Sequence, residues 1–340
     1  MPERSIATLD LPAAVRTRLL RAGFRSKHHL VSLSAAQLAK ETGISLDEST
    51  RILQRLQPPF DLDAAAKSIQ PSSLASRSAR AAISTSSVDL DRILRGGIPV
   101  GQVTEISGSF GIGKTQIGMQ LCVNARIPVE CGGPGGEAVY IDTEGSFAPE
   151  RIADMVLHTT EQLQRQYSLP AHRLSLQTFL SGIHIFRAHD SDRQLEILQH
   201  LDQFCADRNV SLVVLDSVAY HFRQGSTDTR HRSRMLHLMS QSMMRTANKH
   251  HLAIVAMNQV TTAISPNDPE RTTLVPSLGE SWTHLVTNRI IVAWRGGQRM
   301  ATVAKSPFLD RASGWFDVKV PQPVLLLLPI LHLARAPAKH

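Results

Sequence analysis

One short glycine-rich segment constrains the fold of this chain more than any other feature. Residues 108–115 read Gly-Ser-Phe-Gly-Ile-Gly-Lys-Thr and match the pattern G-x-x-x-x-G-K-[ST] in full. A strand-like run at 103–107 precedes the segment, and a helical pattern at 115–126 follows it. In that setting, backbone N–H groups at the start of the helix can surround a phosphate. The segment therefore predicts a nucleotide-binding α/β domain.

The residue types of this segment indicate ATP with Mg²⁺ as the ligand. The glycines let the backbone wrap the phosphates, and the helix N-terminus adds positive potential. Lys114 is expected to reach the β- and γ-phosphates, and Thr115 is expected to bind Mg²⁺. The residues predicted to hold the nucleotide here are Gly108, Ser109, Phe110, Gly111, Ile112, Gly113, Lys114, Thr115 and Gln116.

Short β-rich runs alternate with helical patterns after residue 83. The predicted strands are 103–107, 138–142, 183–187, 212–216 and 253–258, and the predicted helices are 115–126, 149–166, 192–207 and 231–250. Runs at 287–294, 299–304 and 315–320 suggest added strands at one edge. The alternation predicts an α/β fold with a mostly parallel sheet flanked by helices.

The N-terminal part has a different pattern. Val15 and Leu19 fall at helical spacing, Gly23 and Gly43 mark turns, and a second helical period follows at 47–56. Two short helices joined by a glycine turn are typical of a helix-hairpin-helix unit that holds a DNA phosphate, or of a helical module that binds proteins. We predict an all-α domain at 1–59, a linker at 60–82, an ATPase core at 83–320 and a divergent tail at 321–340.

Two carboxylates follow predicted strands. Asp216 ends the apolar run 212–215 and is expected to hold the Mg²⁺ shell, although an aspartate can also simply cap a strand. Glu144, in the segment Tyr140 to Gly145, is the candidate general base that activates the attacking water. A solvent-facing glutamate in a turn is the alternative for Glu144.

Composition limits the partners and the compartment. The net charge of +8 favours nucleic acid as a partner or is only a solvated basic surface. The 3 cysteines are too sparse for a disulfide framework, which indicates a reducing compartment. The longest apolar stretch, 324–333, is interrupted by Pro329 and His332 and is too short for a bilayer, so no membrane partner is expected.

A basic segment indicates where DNA would bind. Residues 220–260 hold one acidic residue, Asp228, against six basic ones, which are Arg223, Arg230, Arg232, Arg234, Arg245 and Lys249. Arg230, Arg232 and Arg234 are the predicted DNA contacts, because arginine–phosphate pairs bind without regard to sequence. The alternative is a solvated loop with arginines at the start of a helix.

Several ordered motifs together resemble the RecA-type recombinases in their eukaryotic and archaeal form. They are the entry segment 90–101, the glycine-rich segment, the run 140–147, the triplet 149–151, the run 257–260 and the N-terminal helices. Within that family the chain is most similar to the C-type branch of the paralogues that assist the main recombinase, through residues 127–138, 278–284 and 305–307. The resemblance implies a RecA-like ATPase core.

The resemblance also implies individual roles. Glu144 matches the catalytic glutamate, Lys114 the phosphate-binding lysine, and Arg151 a residue that packs on the adenine. Gln259 matches the sensor of the γ-phosphate, and Lys305 matches a residue that reaches the ATP of a neighbouring subunit. Residues 224–234 and 261–279 match two DNA-binding loops, the second by position alone.

The function implied is that of a DNA-dependent ATPase in homologous recombination and double-strand-break repair. Its implied partners are single-stranded or branched DNA, other paralogues in a hetero-oligomer and the main recombinase, in the nucleus and also in the cytoplasm. Residues 60–63 lack the aromatic-x-x-Ala plug of filament-forming members, which favours the hetero-oligomer. The alternative is a nucleotide-dependent assembly scaffold with marginal ATP turnover, and the N-terminal helices weigh against a RecA-like helicase.

Overall fold

The computed structural model of the protein describes residues 6, 11–24, 30, 33, 35–56, 82–224, 229–265 and 268–318. The strands are β1 (Ala82–Ile83), β2 (Ile98–Pro99), β3 (Val103–Gly108), β4 (Glu137–Asp142), β5 (Ile183–Arg187), β6 (Val210–Asp216), β7 (Ala253–Ser265), β8 (Asp268–Pro276), β9 (Asn288–Arg295), β10 (Gln298–Lys305) and β11 (Ser313–Phe316). The α-helices are α1 (Ala13–Arg21), α2 (Ala35–Thr42), α3 (Leu46–Leu56), α4 (Val88–Ile93), α5 (Lys114–Ala125), α6 (Pro149–Gln166), α7 (Leu176–Leu180), α8 (Ser191–Ala206), α9 (Tyr220–Gln224), α10 (Thr229–His250) and α11 (Gly279–Leu285).

The main sheet is mostly parallel. Its strand order is β11-β10-β9-β3-β7-β6-β4-β5, and β8 pairs with β7 off this path. The six strands β9, β3, β7, β6, β4 and β5 pair in parallel in that order, whereas β10 and β11 are antiparallel additions at one edge. The predicted α/β fold is therefore confirmed. The last edge strand ends at Phe316, short of the predicted 320, because its pairing with β10 stops there.

Both faces of the parallel strands are covered, which explains the nearly continuous apolar sequences of β4, β6 and the first half of β7. On β4, Ala138 and Tyr140 join a core with α5 and α6, while Val139 and Ile141 join the opposite core with α8 and α10. Met235, Met239 and Met243, on one face of α10, pack into that second core, so those side chains are structural. Helices on both sides leave the ends of the strands as the place for a site.

The N-terminal helices α1, α2 and α3 pack around a core of their own. Gly23 and Gly43 have φ angles of 83° and 67°, the left-handed region where glycine is favoured, so both predicted glycine turns are confirmed. Of the predicted linker, 60–82, only Ala82 is described, and the predicted tail 321–340 lies wholly outside the described residues. The domain boundaries stay predictions.

The segment predicted as a second loop, 261–279, is not irregular. β7 continues seven residues past the predicted strand end at Asn258 and pairs with β8 in an antiparallel hairpin that starts at Val260–Pro276. Among the described helices, none has the length and apolar character needed to cross a bilayer.

Candidate nucleotide site

The sheet topology brings four predicted site residues to one edge. Lys114 starts α5 directly after β3, Glu144 follows β4, Asp216 ends β6 and Gln259 lies on β7. These strands are parallel neighbours, so their carboxyl ends lie side by side. The four side chains therefore converge from positions that are far apart in the sequence.

The glycine-rich turn needs its glycines for two reasons. Gly111 and Gly113 have φ angles of 73° and 104° in the left-handed region. A Cβ atom on Gly108 would lie 2.4 Å from Cγ2 and 2.7 Å from the carbonyl oxygen of Val292, because β9 passes directly beside β3. Within the turn Ile112 is buried in the core, whereas Phe110 is 85% exposed. The turn is thus packed against the sheet on its inner side, while its outer face is exposed.

Lys114 is buried at the start of α5. Its Nζ donates hydrogen bonds to the carbonyl oxygens of Gly108 and Ser109, at 2.9 Å and 2.8 Å. Burial lowers the pKa of the Lys114 ammonium, and the carboxylates of Asp216 and Glu144 oppose that shift. The positive charge is thus held inside the loop that is expected to wrap a phosphate.

Thr115 and Asp216, the two residues predicted to hold Mg²⁺, are in contact with each other. The Thr115 hydroxyl and the Tyr140 hydroxyl both donate to Oδ2 of Asp216, each at 2.6 Å. Burial raises the pKa of the Asp216 carboxyl, and these two hydrogen bonds act in the opposite direction. A hydroxyl and a carboxylate side by side fit Mg²⁺, which prefers oxygen ligands and keeps several waters. No group of three or more His, Cys, Asp or Glu in the described part of the chain could hold a metal by itself.

Glu144 is placed by its neighbours rather than left in solvent. Its Oε1 accepts a hydrogen bond from the Ser217 hydroxyl at 2.7 Å and one from Nε2 of Gln259 at 3.4 Å. The Thr143 hydroxyl oxygen accepts a hydrogen bond from the Ser217 backbone N–H at 2.7 Å, which fixes the turns after β4 and β6 to each other. Glu144 and Gln259, predicted independently, are therefore in contact.

Asp142 shapes the turn that carries Glu144, a role that the sequence analysis missed. Its carboxylate accepts backbone N–H groups from Glu144, Gly145 and Ser146 at 3.1, 2.7 and 3.2 Å. It also pairs with NH1 of Arg187 at 2.7 Å. An aspartate at a strand end, followed three residues later by a glycine, is the sequence signal that could have revealed this turn.

Two other predicted residues make specific contacts. Nε of Arg151, on α6, donates to Oε1 of Gln116 at 2.7 Å, so both predicted nucleotide contacts belong to one cluster beside the loop. Nζ of Lys305 donates to the carbonyl oxygens of Thr283 and Val286 at 2.8 Å and 2.7 Å, which ties the end of β10 to the end of α11. Burial lowers the pKa of Lys305, and Arg289 lowers it further.

The three predicted DNA-binding arginines lie in the first two turns of α10, and residues 225–228 are outside the described residues. Arg230 is exposed. Arg232 donates from NH2 to the carbonyl oxygen of Ser277, at the end of the β7–β8 hairpin, at 3.1 Å. The two segments predicted to bind DNA are thus in contact with each other.

Arg234 contacts the N-terminal helices. Its guanidinium lies 3.5 Å from the centre of the Phe24 ring, and NH1 donates to the Ala22 carbonyl oxygen at 2.6 Å. Nε lies 3.7 Å from a carboxylate oxygen of Glu41, and the side chain is 11% exposed. Arg234 is thus inside a contact between two helical units, whereas DNA binding by the three arginines stays a prediction.

Similarity to known proteins identifies the family of this chain. The model of the Rad51 family matches residues 76–321. The chain is 36% identical over 323 residues to "DNA repair protein RAD51 homolog 3" of Cricetulus griseus, covering 90% of this chain and 87% of the relative. The chain belongs to the Rad51 family. A relative of the same name from Dictyostelium discoideum is 38% identical over 236 residues, which are 68% of this chain and 62% of the relative.

Family membership confirms the resemblance drawn from the motifs. Both relatives carry the name of the C-type paralogue, so that prediction is confirmed as well. For this Rad51-family chain the sheet, the glycine-rich turn and the residues around it form the nucleotide-binding fold of the family.

Proposed function

We propose that this Rad51-family chain is a DNA-dependent ATPase that acts in homologous recombination and double-strand-break repair. The observation that carries the proposal is the convergence of Lys114, Asp216, Glu144 and Gln259 at one edge of the sheet. The relatives are named as DNA repair proteins, which supports a role in DNA repair.

The residues have distinct roles in this proposal. ATP with Mg²⁺ supplies the reactive phosphoanhydride, and Thr115 and Asp216 would hold the metal. Lys114 would stabilise negative charge on the phosphates. Glu144, oriented by Ser217 and Gln259, would accept the proton of the attacking water. Arg151 and Gln116 would contact the nucleotide beside the loop.

The partners follow from the family and from the basic segment. We propose that Arg230 and Arg232 bind phosphates of single-stranded or branched DNA. Arg234, the third predicted arginine, is not included in this proposal because its guanidinium is held against Phe24 and the Ala22 carbonyl oxygen. The chain would act in a hetero-oligomer with other recombinase paralogues and would assist the main recombinase, in the nucleus and also in the cytoplasm. The domain limits 1–59, 60–82, 83–320 and 321–340 belong to the same proposal.

The test is ATP hydrolysis by the full chain, with and without single-stranded DNA. We expect turnover that rises with DNA, and a Lys114→Ala variant that loses about 100-fold or more of it. Arg165→Ala is the control, because exposed Arg165 pairs with Glu161 near the C-terminal end of α6, outside both the site and the basic segment. The control is expected to keep wild-type turnover.

A different result would favour the scaffold. In that case the chain binds ATP through Lys114 but does not hydrolyse it, either alone or in a co-expressed paralogue complex. ATP then serves only to stabilise the assembly. Hydrolysis that persists unchanged in Lys114→Ala would contradict the assignment of the site.

A further inference from the structure

A carboxylate is buried completely beneath the nucleotide-binding turn. Glu105 lies on β3, three residues before Gly108, and its side chain is 0% exposed. Burying a charge is costly unless it is paired and hydrogen-bonded. Glu105 meets both conditions: Nε of Arg289 donates to Oε2 at 2.6 Å, and Oε1 accepts from Nδ2 of Asn258 at 2.6 Å and Nε1 of Trp282 at 3.1 Å.

These three donors come from different elements. Arg289 is the register partner of Glu105 on the adjacent strand β9, Asn258 lies on β7, and Trp282 lies on α11. Apolar residues often replace such buried groups with no loss of stability, so stability alone does not explain them. Glu105 has hydrogen bonds on both carboxylate oxygens, and such a buried polar cluster fixes geometry because each member orients the next.

Asn258 links the buried cluster to the β7–β8 hairpin by hydrogen bonds. Its Oδ1 accepts the Gln259 backbone N–H at 2.8 Å and the Ser277 hydroxyl at 2.9 Å. The Ser277 backbone N–H donates to the Gln259 carbonyl oxygen at 2.9 Å. One buried asparagine therefore connects Glu105, the predicted sensor and the end of the β7–β8 hairpin.

Ser277 is the point at which the two predicted DNA segments meet. Its carbonyl oxygen accepts the hydrogen bond of Arg232, and its hydroxyl and backbone N–H hold the end of the hairpin. Gln259, one residue beyond Asn258, reaches Glu144 on the nucleotide side. A continuous chain of hydrogen bonds thus runs from Glu144 and Glu105 to Arg232.

We propose that Asn258 and Ser277 are positioning residues that couple nucleotide binding to DNA binding, with Glu105 as the buried anchor. This inference rests on the proposed function, because it assigns the residues that transmit between its two sites. Asn258 holds the backbone of Gln259 and the hydroxyl of Ser277 in one arrangement. Movement of Gln259 toward or away from Glu144 then shifts the hairpin and Arg232 together.

The test measures coupling rather than turnover. Affinity for a fluorescent single-stranded oligonucleotide is titrated with and without ATP, and the ratio of the two dissociation constants is the coupling factor. In Ser277→Ala we expect the coupling factor to fall about fivefold, the effect of one lost hydrogen bond. ATP affinity without DNA should stay at the wild-type value, since Ser277 does not contact the nucleotide-binding turn.

Two variants separate positioning from folding. Ser277→Thr keeps a hydroxyl at the same place and is expected to restore wild-type coupling. Ser306→Ala is the matched control, because Ser306 donates a similar hydrogen bond to Oδ1 of buried Asn288 at 2.7 Å, away from the hairpin. Ser306→Ala should leave the coupling factor unchanged.

The outcomes are distinguishable. If wild-type protein binds DNA with coupling to ATP and Ser277→Ala keeps that coupling in full, this inference is wrong and the proposed function stands. A loss of coupling in Ser306→Ala equal to that in Ser277→Ala also overturns it. If wild-type protein binds ATP and DNA without any coupling, or binds no DNA, the proposed function and this inference fail together.

Discussion

At the scale of single residues, the turn after β4 depends on Gly145. Its φ angle of 76° is in the left-handed region, and a Cβ atom there would lie 2.7 Å from NH2 of Arg187. Arg187 is the ion-pair partner of Asp142, which holds the turn of Glu144. Gly145→Ala is therefore expected to lower the free energy of unfolding by about 2–3 kcal/mol and to reduce ATP turnover.

Gly296 provides the control for this prediction. Its φ angle of 55° is also left-handed, but an added Cβ would meet nothing within 4 Å. Gly296→Ala should cost only the conformational part, about 1–2 kcal/mol, and leave turnover intact. Equal urea midpoints and equal turnover for the two variants would show that the Arg187 contact is unimportant.

The three cysteines are predicted to be unreactive in the folded chain. All of them are free and buried. Burial raises the pKa of Cys205 to about 11 and raises the pKa of Cys122 and Cys131 as well. Because the thiolate is the reactive form, reaction of Cys205 with a disulfide reagent at pH 8 should be about 100-fold slower than the reaction of a free thiol.

Raising the pH toward 11 should accelerate this reaction in folded protein, since the thiolate of Cys205 then forms. Unfolding in guanidinium should make all 3 thiols react at once. Fast reaction of any thiol in the folded protein at pH 8 would contradict the burial described above.

At the scale of elements, the sequence predicted the central strands and long helices closely. Strands such as β4 and β6, which are covered on both faces, are nearly continuous apolar runs, and the long helices carry apolar residues at helical spacing, so both patterns are strong. α6 has the predicted bounds of 149–166. The short elements β1, β2, α4 and α7 were not predicted, because so few residues show no periodicity.

The β7–β8 hairpin was the main element that the sequence analysis missed. Residues 261–276 include several polar residues and were assigned to a loop by position in the family. The strands form because β7 continues from the buried sheet and offers β8 a partner from Val260 onward. Pairing that depends on a neighbouring strand leaves only a weak local signal.

The candidate site was predicted in its reactive groups but not in its supports. Lys114, Thr115, Glu144 and Asp216 follow patterns that chemistry requires at fixed places. Among their supports, Asp142 acts on the turn that directly follows it and leaves the weak signal of an aspartate three residues before a glycine. Glu105 acts through residues that only the fold brings close, so no spacing in the sequence identifies it.

At the scale of the whole molecule, Arg234 connects the N-terminal helices to the core. Burial lowers the pKa of its guanidinium and Glu41 opposes the shift, and arginine keeps its charge in either case. Arg234→Ala is expected to weaken this contact by about 2 kcal/mol, because the stacking on Phe24 is desolvated. Hydrogen exchange of the α1 amides should become faster.

Arg230→Ala is the companion variant, since Arg230 is an exposed arginine one turn earlier on the same helix. It should leave exchange in α1 at the wild-type rate while it weakens DNA binding. If Arg234→Ala also leaves α1 unchanged, the N-terminal helices are held by contacts other than Arg234.

The length of β7 has a mechanical consequence. The strand runs without a break from the sheet core into the hairpin, and residues 260–265 extend about 20 Å beyond Gln259. Such a strand acts as a lever with its fulcrum at Asn258, where the buried cluster holds it. A small tilt of the strand at Asn258 becomes a larger displacement at the far end of the hairpin. A minor rearrangement beside Glu144 can therefore move residues well outside the site.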